Sequence, residues 1–385
     1  MISSGLVFFK IEFMNTKICC VFNLAPHYHS SIYKLMDKQL KCDFYIGNRI
    51  ASNIKLMDYN ELMGFKKTLN YIPFLNNFYF QKGAVSLVFK SYSHYIITGE
   101  PHCLSTWIIL IFAKLLRKKT FVWTHGWYGD EGFLKKIIKK IFFAFATRIL
   151  LYGEYARDLM INEGFNGNKL ICIYNSLNYE EQIEIREKLT LTSVFKEHFK
   201  NENPVLLYIG RIQSVKKIDI LLNSMNQLNK KGTILNLVII GEEVDGISIV
   251  DIKDHFSLDE NVWIYGPCYN EAIIGELIYN ADICVSPGNV GLTAMHSLVY
   301  GTPVITHNNF KNQMPEFEAI EPGITGDFFI EDSVNDLSQK ILEWIALSSD
   351  QRELVRQQCY KLIHTKYNPL KQIEVLKRLF INITP

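Results

Sequence analysis

The sequence predicts an α/β protein made of two Rossmann-like domains facing a cleft. Three observations lead there. Short apolar runs rich in Val, Ile and Leu alternate with longer stretches of helical periodicity along the whole chain. That alternation restarts after a charged, helix-forming break at 178–204, which closes with Asn201-Glu-Asn-Pro204. The chain has 385 residues, room for two or three domains at roughly 100–200 residues each.

Taken in order, the first strand is expected at 17–22, with Met14 just ahead of it as an alternative translation start and 1–13 as an extension without a role. Further strands are expected at 95–98, 120–124, 148–152 and 170–174. The second half offers 205–209, 235–240, 262–265, 283–286 and 303–306. Many are unbroken apolar runs, as parallel strands covered on both faces require. The expected domains are therefore 1–190 and 200–365, with 366–385 a final amphipathic helix packing back toward the first domain.

Composition excludes several classes. Hydrophobic residues make up 48% and charged residues 21%, which is globular usage rather than disorder. Lys and Arg number 41 against 39 Asp and Glu, so no nucleic-acid partner is expected. Eight scattered cysteines, with no C-x-x-C, read as reduced thiols in a cytoplasmic protein. No run reaches the ~20 apolar residues of a spanning helix. Charge is uneven, however. The segment 101–150 holds nine basic and two acidic residues, a net +7, and 133–143 alternates apolar and basic pairs at helical spacing. An anionic membrane surface bound through 114–140, on the inner face of the plasma membrane, is one expectation; a solvated basic face is the other.

Candidate chemistry gathers in the second half. Gly210 ends a strand and leaves Arg211 at its carboxyl edge, with Lys216 opening the next helix. A planar guanidinium and a point charge together suit a diphosphate. In Pro287-Gly-Asn-Val-Gly-Leu-Thr-Ala-Met-His296 a strand turns into a helix whose first amides, those of Gly291, Leu292 and Thr293, would face the cleft and hold an anion. In the first half, His125 follows a strand and is flanked by Gly126 and Gly129, an unusual place for a core histidine.

The order of Thr124-His-Gly126, Tyr174-Asn175, Gly210-Arg211 with Lys216, Gly241, Pro287 to His296, Gly301-Thr-Pro-Val304, Pro315-Glu316 and Gly323 to Gly326 resembles the retaining GT-B glycosyltransferases of family 4, group 1. The resemblance runs from about 95 to 330. It implies a GT-B architecture and transfer of a sugar, with retention, from a nucleotide-diphosphate sugar to a glycan or lipid-linked glycan acceptor in polysaccharide biosynthesis. It assigns Arg211 and Lys216 to the donor diphosphate, the Gly291 turn to its cap, and His125 to the transferred sugar or its phosphate across the cleft. Tyr265-Gly266-Pro267 resembles the family's base-reading loop.

The sequence also departs from the pattern. Two glutamates eight positions apart are expected around the phosphate turn, and their places hold Gly288 and His296. An imidazole can still bond a ribose hydroxyl, whereas Gly288 offers only backbone. The Gly-rich loop after the first strand is replaced by 23–30, where His27 and His29 are acceptor-side candidates. No Asp-x-Asp triplet occurs, so no metal is expected, and no cofactor beyond the nucleotide-sugar substrate. Loss of both glutamates keeps one alternative open, a non-catalytic nucleotide-sugar-binding subunit of a glycan-assembly complex.

Overall fold

Ile18–Phe22 forms strand β1, a five-residue apolar run with every side chain buried. In this computed structural model, which describes residues 17–48, 54–244 and 246–381, it sits at the middle of the first sheet. The alternative start at Met14 lies outside the described residues. The other strands of that sheet are β2 (Asp43–Gly47), β3 (Phe65–Pro73), β4 (Tyr79–Lys82), β5 (His94–Thr98), β6 (Lys119–Thr124), β7 (Arg148–Leu151) and β8 (Leu170–Cys172). Their order is β4-β3-β2-β1-β5-β6-β7-β8, parallel except for the β3–β4 pair.

The second sheet holds β9 (Val205–Ile209), β10 (Asn236–Ile240), β11 (Val262–Gly266), β12 (Ile283–Val285), β13 (Val304–His307) and β14 (Gly326–Phe329). Its order, β11-β10-β9-β12-β13-β14, is parallel throughout and is the doubly wound order of a dinucleotide fold. The twin Rossmann-like expectation is thus met. In such sheets ligands lie beyond the strand carboxyl ends where the order reverses. Those points are β1/β5 in one domain and β9/β12 in the other.

Each sheet is covered by an apolar cluster on either face. The clusters move the expected boundaries. Helices Tyr179–Arg186 and Val194–Phe199 bury Tyr179 and Phe195 in the C-terminal domain's core, so the chain crosses over near residue 177 rather than 190. Helix Ser349–Thr365 stays on that domain through Cys359 and Ile363. Helix Pro369–Ile381 then returns to the N-terminal domain, where Ile373, Leu376 and Phe380 join the core around β1. Each buried side chain of this size is worth about 1.5–3 kcal/mol, enough to hold one helix across the gap.

A second tie joins the domains. The Glu318 carboxylate accepts the amides of Glu154 (2.7 Å) and Tyr155 (2.8 Å), the first two residues of helix Glu154–Asn162. A Cβ on residue 153 would stand 2.1 Å from Glu318 Oε1, so any side chain there would have to displace this carboxylate.

Candidate functional site

A cavity of about 580 Å3 lies between the domains. Its C-terminal wall is made of strand carboxyl ends: Gly210 and Arg211 after β9, Gly241 and Glu242 after β10, and Pro267 to Tyr269 after β11. Leu292 and His296 close it from helix Thr293–Val299. The N-terminal domain contributes His27, Tyr28 and Lys55. Arg211 is exposed, and its guanidinium forms no ion pair among the described residues. Gly210 needs its conformational freedom, with φ at +145°.

Lys216 lies behind this wall. It ends a short 3-10 turn, Ser214–Lys216, and helix Ile218–Lys230 starts two residues later, so Lys216 precedes that helix instead of opening it. Its ammonium donates to the backbone oxygen (2.5 Å) and side-chain oxygen (2.7 Å) of Asn289. Burial, then the nearby Arg211 charge, pushes its pKa down to about 8, with Glu316 opposing.

The turn around Lys216 also explains residue 288. The Gly288 amide donates to the Lys216 carbonyl at 3.0 Å. A Cβ at 288 would meet Val215 O at 2.1 Å and Lys216 Cα at 2.6 Å. No side chain fits, so the missing glutamate is a consequence of how closely the lysine turn packs. Gly291 has φ at +53° and leads into the helix, whose Thr293 Oγ1 donates to the Ile209 carbonyl at 2.7 Å. Of the expected donor-side residues, Gly210, Arg211, Leu292 and His296 line the cavity; Lys216, Gly266, Gly288, Gly291 and Thr293 lie outside its lining.

His296 meets a carboxylate that the sequence did not reveal. Its Nε2 is 2.9 Å from Glu271 Oε1, and that oxygen also accepts from Gln182 Nε2 and Tyr300 OH, each at 2.8 Å. Burial pushes the Glu271 carboxyl up, yet the hydrogen bond and charge of His296, helped by Gln182 and Tyr300, bring it to about 2.

A second cavity, of about 820 Å3, lies in the N-terminal domain. Its walls are largely aromatic, with Phe22, Tyr33, Trp123, Tyr128 and Tyr152, and Leu134 and Lys135 at one side. Tyr28 lines both cavities, so they adjoin there. His125 lines this second cavity with its Nδ1 buried and unpartnered. Burial, then Lys139, lowers its pKa to about 4, so the imidazole is neutral at ordinary pH. The two other histidines separate. His27 lines the cavity between the domains and bonds the Lys55 carbonyl through Nδ1 at 3.1 Å. His29 is buried in the aromatic cavity wall, and burial lowers it to about 4. The two histidines expected on the acceptor side thus line different cavities.

A buried carboxylate sits at the seam. His29 Nε2 is 3.2 Å from Asn175 Oδ1, and Asn175 Nδ2 donates to Glu316 Oε1 at 2.7 Å. Glu316 Oε2 is buried without a partner. Burial holds this carboxyl above its usual range, with Asn175 and Lys216 pulling the other way. Pro315-Glu316 was visible in the sequence as a family landmark, but nothing in the motif announced a charge at the domain seam. Among the described residues, no group of three His, Cys, Asp or Glu side chains is placed to hold a metal ion.

Comparison with solved structures decides the architecture. Anabaena HepE, solved with UDP, superposes with a TM-score of 0.72 at 12% identity, covering 96% of this chain and 100% of HepE. The chain has the GT-B fold. A glycosyltransferase from Rickettsia africae gives a TM-score of 0.71 at 17% identity, over 96% of this chain and 99% of the other. The lipopolysaccharide outer core galactosyltransferase WaaB gives 0.69 at 15%, over 96% and 100%. Residues 191–361 match the family model of group 1 glycosyl transferases. Among curated proteins no match is found. The matched stretch begins in the linker and contains the whole strand wall of the interdomain cavity of this GT-B chain.

Proposed function

We propose that the protein is a glycosyltransferase that moves a sugar from a nucleotide-diphosphate donor to an acceptor hydroxyl. The observation that carries this reading is the pair of cations at the end of β9. Arg211, without an ion pair among the described residues, stands in a cleft between two doubly wound sheets, and half-buried Lys216 is held near it by Asn289. As the glycosidic bond breaks, the leaving diphosphate gains charge. Preorganised cations stabilise that charge most in the transition state, where it lowers the barrier. The two cations do this without calling on a metal ion. The neutral His125 stands in the N-terminal domain, suited to sugar hydroxyls rather than to phosphate. Retention of configuration follows from the family resemblance, and domain closure would keep water from the donor.

The aromatic cavity is the acceptor side of this reading, and glycan or lipid-linked glycan acceptors fit it, since aromatic faces pack against apolar chains and sugar rings. Helix Phe133–Ala144 borders it. Its basic residues are largely neutralised within the domain: Lys136 and Lys140 pair with Glu163, and Lys139 with Glu131 at 2.7 Å. What it presents outward is apolar, with Phe133 81% and Leu134 69% exposed. A membrane-facing role for this helix therefore rests on apolar insertion with Lys135 beside it, more than on net charge. Among the described residues, no helix is long and apolar enough to cross a membrane.

The test is thermal stability against UDP, GDP, ADP and CMP, with Arg211→Ala beside the wild type. A ligand at 100 times its dissociation constant adds about 2.7 kcal/mol of stability. A shift with one diphosphate that vanishes in Arg211→Ala supports the donor site, and transfer to an acceptor then separates the enzyme from a binding subunit. No shift with any nucleotide overturns the proposal.

A further inference from the structure

We propose that Glu271 holds the ribose of the donor nucleotide through its second carboxylate oxygen, an inference that rests on the donor reading above. The argument is geometric. Glu271 opens helix Glu271–Asn280, and the Asn270 side chain caps that helix by accepting the amides of Ala272 (3.1 Å) and Ile273 (3.3 Å). The cap sets where the Glu271 side chain leaves the backbone. Three donors then converge on one oxygen. His296 Nε2 and Tyr300 OH, from helix Thr293–Val299 and its C-cap, and Gln182 Nε2, from helix Tyr179–Arg186, all reach Oε1. Oε2 has no hydrogen bond among the described residues, and the side chain lines the donor-side cavity. One half of the carboxylate is fully anchored and the other is held open.

What it would take follows from the rest of the cavity. Arg211 marks the anionic end of the ligand, and Pro267 to Tyr269 form a neighbouring wall after β11. A ligand that joins an anionic end to a planar end has its hydroxyl-bearing ring between them. An ionised carboxylate only accepts hydrogen bonds, so it selects hydroxyl donors and rejects phosphate. A vicinal diol presents two such donors side by side. His296, Gln182 and Tyr300 are positioning residues here, acting through Glu271. The carboxylate absent from position 296 thus reaches the same cavity from a neighbouring helix.

The experiment measures dissociation constants of UDP, GDP, ADP and CDP and of their 2′,3′-dideoxy counterparts, for wild type and Glu271→Gln. Wild type is expected to favour the ribose form of its preferred base about ten- to a hundredfold, the scale of hydrogen bonds to a charged group. In Glu271→Gln that preference should fall to within about threefold, with dideoxy binding unchanged. A purely structural role would weaken both forms alike and keep the ratio, which overturns the inference. If the Gln variant melts early, Glu271→Asp, which keeps the charge but shortens the reach, is expected to lower the same ratio. Binding by wild type without any ribose preference overturns this inference and leaves the donor reading standing. Failure of wild type to bind any of the four diphosphates overturns both.

Discussion

Donor affinity should fall as pH rises through about 8, because the Lys216 ammonium is already close to losing its proton in the free protein. Burial and the Arg211 charge bring its pKa from 10.5 to about 8. Only the protonated form attracts a diphosphate, and a bound diphosphate raises the pKa again. The linkage is then simple: the apparent dissociation constant grows as one plus ten to the power of pH minus pKa. At pH 9 about one molecule in eleven carries the charge, so binding should be roughly tenfold weaker than at pH 7, or about 1.4 kcal/mol. The groups around Lys216 do not confuse this window. Burial lowers His125 and His29 to about 4, so both are neutral there. The assay is isothermal titration of the preferred nucleoside diphosphate from pH 7 to 9 in buffers of different ionisation heat. Proton uptake on binding should appear above pH 8. Lys216→Met should bind weakly at every pH, with the slope gone. Flat affinity in wild type, or a slope that survives in Lys216→Met, would refute the placement of this lysine at the phosphate. Folding is linked with the opposite sign. A lysine whose folded pKa is depressed leaves the unfolded chain holding more protons, so its contribution to stability rises between about pH 8 and 10.5.

Other outcomes follow from the same geometry. Glu316 is buried with one oxygen unpartnered, and its carboxyl is held above the ordinary range. The native chain therefore binds this proton more tightly than the unfolded one, and stability is lost as pH rises through the folded value. Glu316→Gln, which keeps the oxygen that accepts from Asn175, should raise stability at pH 8 by about 1–3 kcal/mol while lowering transfer; the gain should vanish near pH 4 in denaturant titrations. An unchanged melting curve at both pH values would mean that this carboxyl is not buried as described. Phe133→Asp with Leu134→Asp should abolish co-sedimentation with anionic vesicles without altering nucleotide affinity; vesicle binding that survives both changes would remove this helix from any membrane role.

Much of the fold was legible in the sequence because parallel strands buried on both faces must be unbroken apolar runs. β1, β9 and β10 are such runs, and each was expected within two residues of where it lies. β2, β3, β4 and β14 were not expected. β3 alternates exposed and half-buried positions with only Leu69 fully buried, β4 is its antiparallel edge partner, and β14 is a four-residue run beginning with Gly-Asp. Edge strands carry a weaker apolar signal because solvent covers part of them. The linker helices were placed between domains, since their charged composition says nothing about which core receives Tyr179 and Phe195.

The sequence by itself determined the twin doubly wound architecture and put Arg211 at a strand carboxyl end, because both depend on local pattern and strand polarity. It also marked Gly288 and His296 as departures, since those are facts of residue identity. Only the tertiary structure decided what the departures mean. Residue 288 is glycine because the Lys216 turn leaves it no room, and His296 has a carboxylate partner 25 positions away in the chain. The pairing of His29, Asn175 and Glu316 spans up to 146 positions, and the separation of His27 from His29 depends on which way a three-residue turn faces. Contacts at such distances depend on how helices pack on two sheets, and no local spacing encodes that packing.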